Sequence, residues 1–162
     1  MILKEDSSEQ KLRGAYYTPL KLAKKMVDFF KDDLSIKSIL EPSCGDGVFV
    51  DALLESQFLS QHKRVTAIEI EKKEAEKLSE KLKDNSNIDV VNGDFFEFYH
   101  KHKDMDTYDL ILGNPPYIRY QYLEEKQRSE MAEILTSHGM KANKLINTWV
   151  GFMVACVHML SD

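Results

Sequence analysis

A chain of 162 residues that is 43% hydrophobic, 10% aromatic and 30% charged holds enough apolar mass for one folded domain, and its net charge of −5 carries no global footprint for nucleic acid. Cys44 and Cys156 are too few and too far apart for a disulfide framework or a metal site, and a reducing, cytoplasmic setting is expected. The start, MILKEDSSEQ, has no apolar signal-peptide core, and the apolar stretch Leu145 to Leu160 is short for a membrane span and interrupted by Asn147, Thr148 and His158.

Residues 1–13 are polar without a period and read as a leader, with residues 14–162 as the domain proper. Thr18-Pro19 predicts a helix start, a hydroxyl cap followed by proline at the first helical position. Leu22, Met26, Phe29 and Phe30 then recur at helical spacing. Ser38 to Leu40 is a short buried strand ended by EPSCGDG, and Val48 to Leu54 is helical. Val65 to Ile70 is a second strand, followed by a charged surface helix from Glu71 to Lys83 with close Glu/Lys pairs. Ile88 to Val91 is a third strand closed by NGDFF, and Tyr108 to Leu112 a fourth closed by GNPPY. A helix is expected around Glu124 to Leu135. Ile146 to Leu160, apolar on nearly every face, reads as a buried helix. Strands that alternate with helices imply a parallel sheet covered on both faces, whose ligands sit at the carboxyl ends of the strands. All the unusual residues fall at those ends.

Gly45-Asp46-Gly47 follows a strand and opens a helix, so backbone N–H groups there can approach a ligand closely. The third glycine of a dinucleotide fingerprint is missing, because position 50 is Val. A tight strand-to-helix turn is the bland reading. Glu69 ends the next strand, where an acid can accept both hydroxyls of a ribose; a solvated strand end is the alternative. Asp94 can accept from an exocyclic amine and Phe95 can pack on a purine, or else Asp94 caps a helix whose Phe95, Phe96 and Phe98 are core. Asn114-Pro115-Pro116-Tyr117 is more specific. The prolines hold an extended, stiff backbone that presents the Asn114 amide oxygen and the Pro115 carbonyl beside a flat ring, two acceptors for a planar group bearing NH₂. The histidines show no ligand spacing: His100 and His102 sit on a charged loop, and His62, His138 and His158 are scattered. No metal is expected.

Taken in order, GAYYTP (14–19), EPSCGDGVF (41–49), IEI (68–70), NGDFF (92–96) and GNPPY (113–117) resemble the motif series of S-adenosylmethionine-dependent DNA N6-adenine methyltransferases, in the gamma order of bacterial restriction–modification enzymes. The apolar helix of KLINTWVGFMVACVHMLSD resembles the family's next element. The resemblance implies a Rossmann-like class I α/β fold with a mostly parallel sheet, incomplete at its C-terminal end. It implies that Tyr17 and Thr18 close over the methionine part of S-adenosylmethionine and that Glu41, Pro42, Ser43, Cys44, Gly45 and Gly47 cradle its methionine end. Glu69 would take the ribose and Asp94 with Phe95 the adenine, with Ile70 a further cofactor-binding residue. Asn114 and Pro115 would accept both N6 hydrogens of a flipped adenine, Pro116 would stiffen the loop and Tyr117 would stack on the base.

The same resemblance leaves out later strands, an aromatic motif and a target-recognition domain, so a catalytic-core fragment of a longer enzyme is expected. Double-stranded DNA, reached through the full-length protein, and a cognate restriction endonuclease are the implied partners. A protein-glutamine methyltransferase and a non-catalytic S-adenosylmethionine-binding module are the competing readings. A nicotinamide-dependent oxidoreductase ranks last, for want of the third glycine.

Overall fold

The computed structural model describes residues 18–59, 63–143 and 146–161. The expected leader and Tyr17 lie outside them. Helix α1 (Leu20–Asp28) precedes β1 (Ser38–Glu41), α2 (Val48–Glu55), β2 (Arg64–Glu69), α3 (Lys72–Lys81), β3 (Ile88–Asn92), α4 (Phe95–His102) and β4 (Leu110–Ile111). A 3₁₀ turn (Tyr120–Tyr122), α5 (Glu125–Ser137) and α6 (Thr148–His158) complete it. The four strands pair in parallel in the order β3-β2-β1-β4. The order reverses direction at β1, so the chain has its switch point between β1 and β4.

Alternation along the strands sends their side chains to two cores. Ile39, Val65 and Leu110 face α1 and α2, with Ala23, Val27, Phe49 and Leu53. Ala67, on the same side, meets Leu78 and Leu82 at α3. Leu40 and Ile68 face the other way, into a cluster of Phe95, Phe96, Met131, Ile134 and Phe152 from α4, α5 and α6. Both faces of the sheet are therefore covered, as a parallel sheet requires.

Several expectations are corrected. Thr18 gives α1 no side-chain cap, because Pro19 itself occupies the cap position in an extended conformation and its carbonyl accepts from Leu22 and Ala23. Thr18 is thus one residue too early. The buried face of α1 is Ala23 and Val27, not the larger Leu22 and Phe29, which are 49% and 83% exposed. Small Ala23 lets α1 approach α2, and the helix ends before Phe29 is reached. The segment after β3 is a helix, α4, rather than a loop. Strand β4 is two residues long, although Leu112 N–H still donates to Leu40 O at 3.0 Å. Tyr108 pairs in parallel with Leu160 on the far side of β4. Helix α6 is buried through Gly151, Phe152, Ala155 and Cys156, whereas Trp149, Met153 and Val157 are 42%, 47% and 63% exposed. A mixed core on one side only cannot cover a helix that is apolar all round.

Candidate active site

Four turns meet at the carboxyl end of the sheet, and main-chain and side-chain hydrogen bonds knit them together. After β1, Cys44 N–H donates to Ile68 O at 2.8 Å, and Gly47 N–H closes the turn on Cys44 O at 2.8 Å. Gly45 and Gly47 have φ of +55° and +83°, the left-handed region that glycine enters without strain. A Cβ on Gly47 would lie 2.5 Å from the Leu78 Cδ1 methyl and force it to move, at a φ that strains any other residue; a Cβ on Gly45 would meet open space. Gly45 N–H donates to Glu69 Oε2 at 2.8 Å, and Glu71 N–H to Glu69 Oε1 at 2.7 Å. Those two bonds orient the Glu69 carboxylate at the end of β2, while burial pushes its carboxyl above the usual range. Asn92 Nδ2 donates to Glu69 O at 2.8 Å and Gly93 N–H to the same carbonyl at 3.0 Å, which brings the β3 turn alongside.

Glu41 is the anomaly of the site. It is 1% exposed, and its Oε2 has no hydrogen-bond partner. Burial, with the Asp46, Asp51 and Glu69 carboxylates nearby, holds its carboxyl well above the usual range. An orphaned buried carboxylate oxygen is costly for the chain alone. Burial, then the Glu41 and Glu69 carboxylates, push the Cys44 thiol upward, away from the thiolate form.

Segment 113–117 leaves β4 and crosses in front of the β1 turn. Gly113 packs so close that a Cβ there would stand 3.2 Å from Pro42 Cδ, and Ser43 Oγ donates to Asn114 O at 3.4 Å. Asn114, Pro115 and Pro116 are half-buried and Tyr117 is 50% exposed. The strap is fixed at both ends. Leu112 N–H bonds to β1, and Ile118 O accepts from both Thr148 N–H at 2.9 Å and Thr148 Oγ1 at 2.7 Å, at the start of α6.

A family model described as Eco57I restriction-modification methylase matches residues 15–162. The chain belongs to that family. Curated relatives include the type II methyltransferase M.HincII of Haemophilus influenzae, 32% identical over 79% of this chain and 22% of the relative. M.AccI of Acinetobacter calcoaceticus is 29% identical over 91% of this chain and 26% of its own length. The chain thus spans about a quarter or less of these two relatives. Among solved structures, the methyltransferase subunit of a type I restriction-modification system from Streptococcus thermophilus superposes with a TM-score of 0.69 at 17% identity, over 90% of this chain and 32% of that one. An O-methyltransferase from Bacillus cereus, in complex with SAH, gives 0.58 at 13% identity, over 97% of this chain and 59% of that one. These structures establish a Rossmann-like methyltransferase fold.

Within this methylase fold, residues 41–47, Glu69, Asn92–Asp94 and 113–117 stand at one end of the sheet. Ile70, next to Glu69, is 55% exposed, an apolar side chain held at the mouth of the site. Asp94 caps α4, with Oδ1 accepting from Phe96 N–H at 2.8 Å and Glu97 N–H at 3.3 Å. Phe95 is 3% exposed, its ring 4.7 Å from that of Phe152, so its aromatic face is spent in the core. Two histidines judged scattered are in fact neighbours: the His138 and His158 rings lie 4.7 Å apart, and Tyr99 Oη is 2.7 Å from His158 Nδ1. Among the described residues, no group of three His, Cys, Asp or Glu side chains is arranged to hold a metal ion, and no helix is long and apolar enough to cross a membrane. Thr148 and Gln127, which anchor the strap and touch Asp94, were not legible as site residues. Gln127 had one signal: Glu124 and Gln127 stand at capping-box spacing before an apolar-periodic helix.

Proposed function

We propose that this chain is the cofactor-binding and catalytic core of a DNA methyltransferase that acts on N6 of an adenine turned out of the duplex. S-adenosylmethionine is the methyl donor, and when bound it supplies a sulfonium-activated methyl group. The residues present fit it. Glu41 Oε2, buried and unpartnered, suits the ammonium of the methionine end, and the open space before Gly45 leaves room for it. Glu69 keeps lone pairs for two ribose hydroxyls after accepting from Gly45 and Glu71. Ile70 offers apolar cover to a purine, and Asp94 an acceptor for its amine.

The observation that carries the proposal is the strap against the β1 turn, Gly113 on Pro42 and Ser43 Oγ on Asn114 O, which supports a joint role for the Asn-Pro-Pro-Tyr segment and residues 41–47. An exocyclic amine is a poor nucleophile because its lone pair is delocalised into the ring. Asn114 Oδ1 and Pro115 O, accepting its two hydrogens, favour a pyramidal nitrogen and aim the lone pair at the methyl. Half-exposed Tyr117 is suited to stack on the extruded base. The proton leaves to water once the nitrogen bears positive charge, so the chain needs no general base.

The test is transfer of labelled methyl by the full-length protein to duplex DNA and, in parallel, to a glutamine-containing peptide, with the DNA then digested to nucleosides. Label in N6-methyladenine is the expected result. Label in the peptide, or in cytosine, would overturn the reading.

A further inference from the structure

Asp94 has little freedom left. Its Oδ1 is occupied by two backbone N–H groups of α4, and its Oδ2 accepts from Gln127 Nε2 at 2.7 Å, across 33 residues of chain. The other end of the Gln127 amide accepts from Glu124 N–H at 3.3 Å, closing a capping box at the start of α5. Since a carboxylate only accepts, the amide has one orientation that satisfies both contacts. Lys126 pairs with Glu97 beside it, binding the same turn of α5 to the same turn of α4. Helix α5 is the first α-helix after the Asn-Pro-Pro-Tyr strap.

The terminal torsion of an aspartate is broad, so an uncapped Oδ2 would sample many directions. With Gln127 on one lone pair of Oδ2, a single acceptor position remains, and its direction is set. The residue type matters. A glutamate at 127 would oppose Asp94 in a region that already holds Glu97 and Glu130, whose Oε2 is buried without a partner. We propose that Gln127 is a positioning residue for the cofactor's adenine: it fixes Asp94 Oδ2 for the exocyclic amine and thereby ties α5 to cofactor binding. This rests on Asp94 being the amine acceptor.

Calorimetry on the full-length protein tests it, with S-adenosylhomocysteine and with S-inosylhomocysteine, whose base has no amine. Asp94→Ala should weaken S-adenosylhomocysteine by about tenfold or more, and Gln127→Ala by about three- to tenfold. The double variant should lose no more than Asp94→Ala alone, because Gln127 acts through that carboxylate. S-inosylhomocysteine should bind Gln127→Ala and the native protein alike. Gln127→Glu should bind S-adenosylhomocysteine more weakly than Gln127→Ala, because its carboxylate opposes Asp94 and cannot donate to Oδ2. A merely structural role would weaken S-adenosylhomocysteine and S-inosylhomocysteine alike. If Asp94→Ala binds normally, the amine-acceptor reading fails and takes this inference with it. If Asp94→Ala is weak but Gln127→Ala is unchanged or tighter, the inference alone fails and Gln127 is idle or a competitor of the amine.

Discussion

At the scale of single residues, Glu41 sets stability against binding. Its folded carboxyl titrates above the ordinary 4.5, so its contribution to stability is complete below about that pH and is lost as pH rises through the folded value. At neutral pH it is a cost. Glu41→Gln should raise the chain's stability at pH 8 by about 1 kcal/mol, with a smaller gain at pH 5, while S-adenosylmethionine affinity falls at least about tenfold. Urea titrations at the two pH values and calorimetry check both halves; a variant that binds normally would remove Glu41 from the methionine end. Asn114 has the opposite profile. If its amide acts on the target amine as that group becomes nucleophilic, Asn114→Ala in the full-length enzyme should lower kcat by about a hundredfold and leave cofactor affinity within a few-fold. At this scale the sequence marks the Gly, Pro and acidic residues at strand ends as candidates, and the structure gathers residues 41–47, Glu69, Asn92–Asp94 and 113–117 at one end of the sheet. Phe95 was harder: an aromatic after a strand packs equally well on a purine or on Phe152, and only the fold decides.

At the scale of elements, the existence of the strands and their parallel pairing were legible, whereas the strand order and the helix faces were not. The stripe on α1 was misread because large side chains look like core, yet the close approach to α2 selects Ala23. Helix α4 was hidden because its Asp-Phe-Phe start also looks like a binding loop. Two element-level contacts support the site. Thr148 holds the far end of the strap, so Thr148→Val should cost about 1 kcal/mol and reduce kcat more than cofactor affinity. Retained turnover would mean that the strap is stiff enough through its prolines alone. Asp109 staples β4 to β1, accepting from Lys37 N–H at 2.7 Å and Ser38 N–H at 2.9 Å, bonds that lower its pKa to about 2. A depressed carboxyl gives stability above its ordinary pKa of 3.8 and withdraws it as pH falls toward 2. Asp109→Asn should therefore destabilise by about 1–2 kcal/mol at pH 7, a difference that closes between about pH 4 and pH 2 in melts followed by circular dichroism.

At the scale of the whole molecule, net charge bears on how the chain meets a duplex. Its net charge is −5, and duplex affinity derives largely from cationic contacts to phosphates. Extruding a base adds a cost of a few kcal/mol. Arg119, Tyr120 and Tyr122 flank the strap, but glutamates follow at once from Glu124. The 162-residue chain should bind S-adenosylmethionine yet transfer no methyl to a mixed-sequence duplex under conditions where the full-length protein does. Turnover by both at similar rates would show that the duplex is gripped by the core itself. The uncovered stripe Trp149, Met153 and Val157 belongs to this scale too, since no single helix reveals which of its faces the rest of the fold will reach.

A parallel sheet sends its candidate site turns to one end, and among the described residues the connection before β4 lies at the other. Between α4 and β4, Asp104 and Met105 form an exposed tip, Met105 at 74% exposure, far along the strands from the strap and the glycine turn. That polarity gives the protein engineer a handle. A short flexible tag or a reporter spliced between Asp104 and Met105 lengthens a surface loop at little entropic cost. The full-length protein carrying it should transfer labelled methyl as the native protein does, whereas the same insertion at Gly45 should abolish S-adenosylmethionine binding in calorimetry.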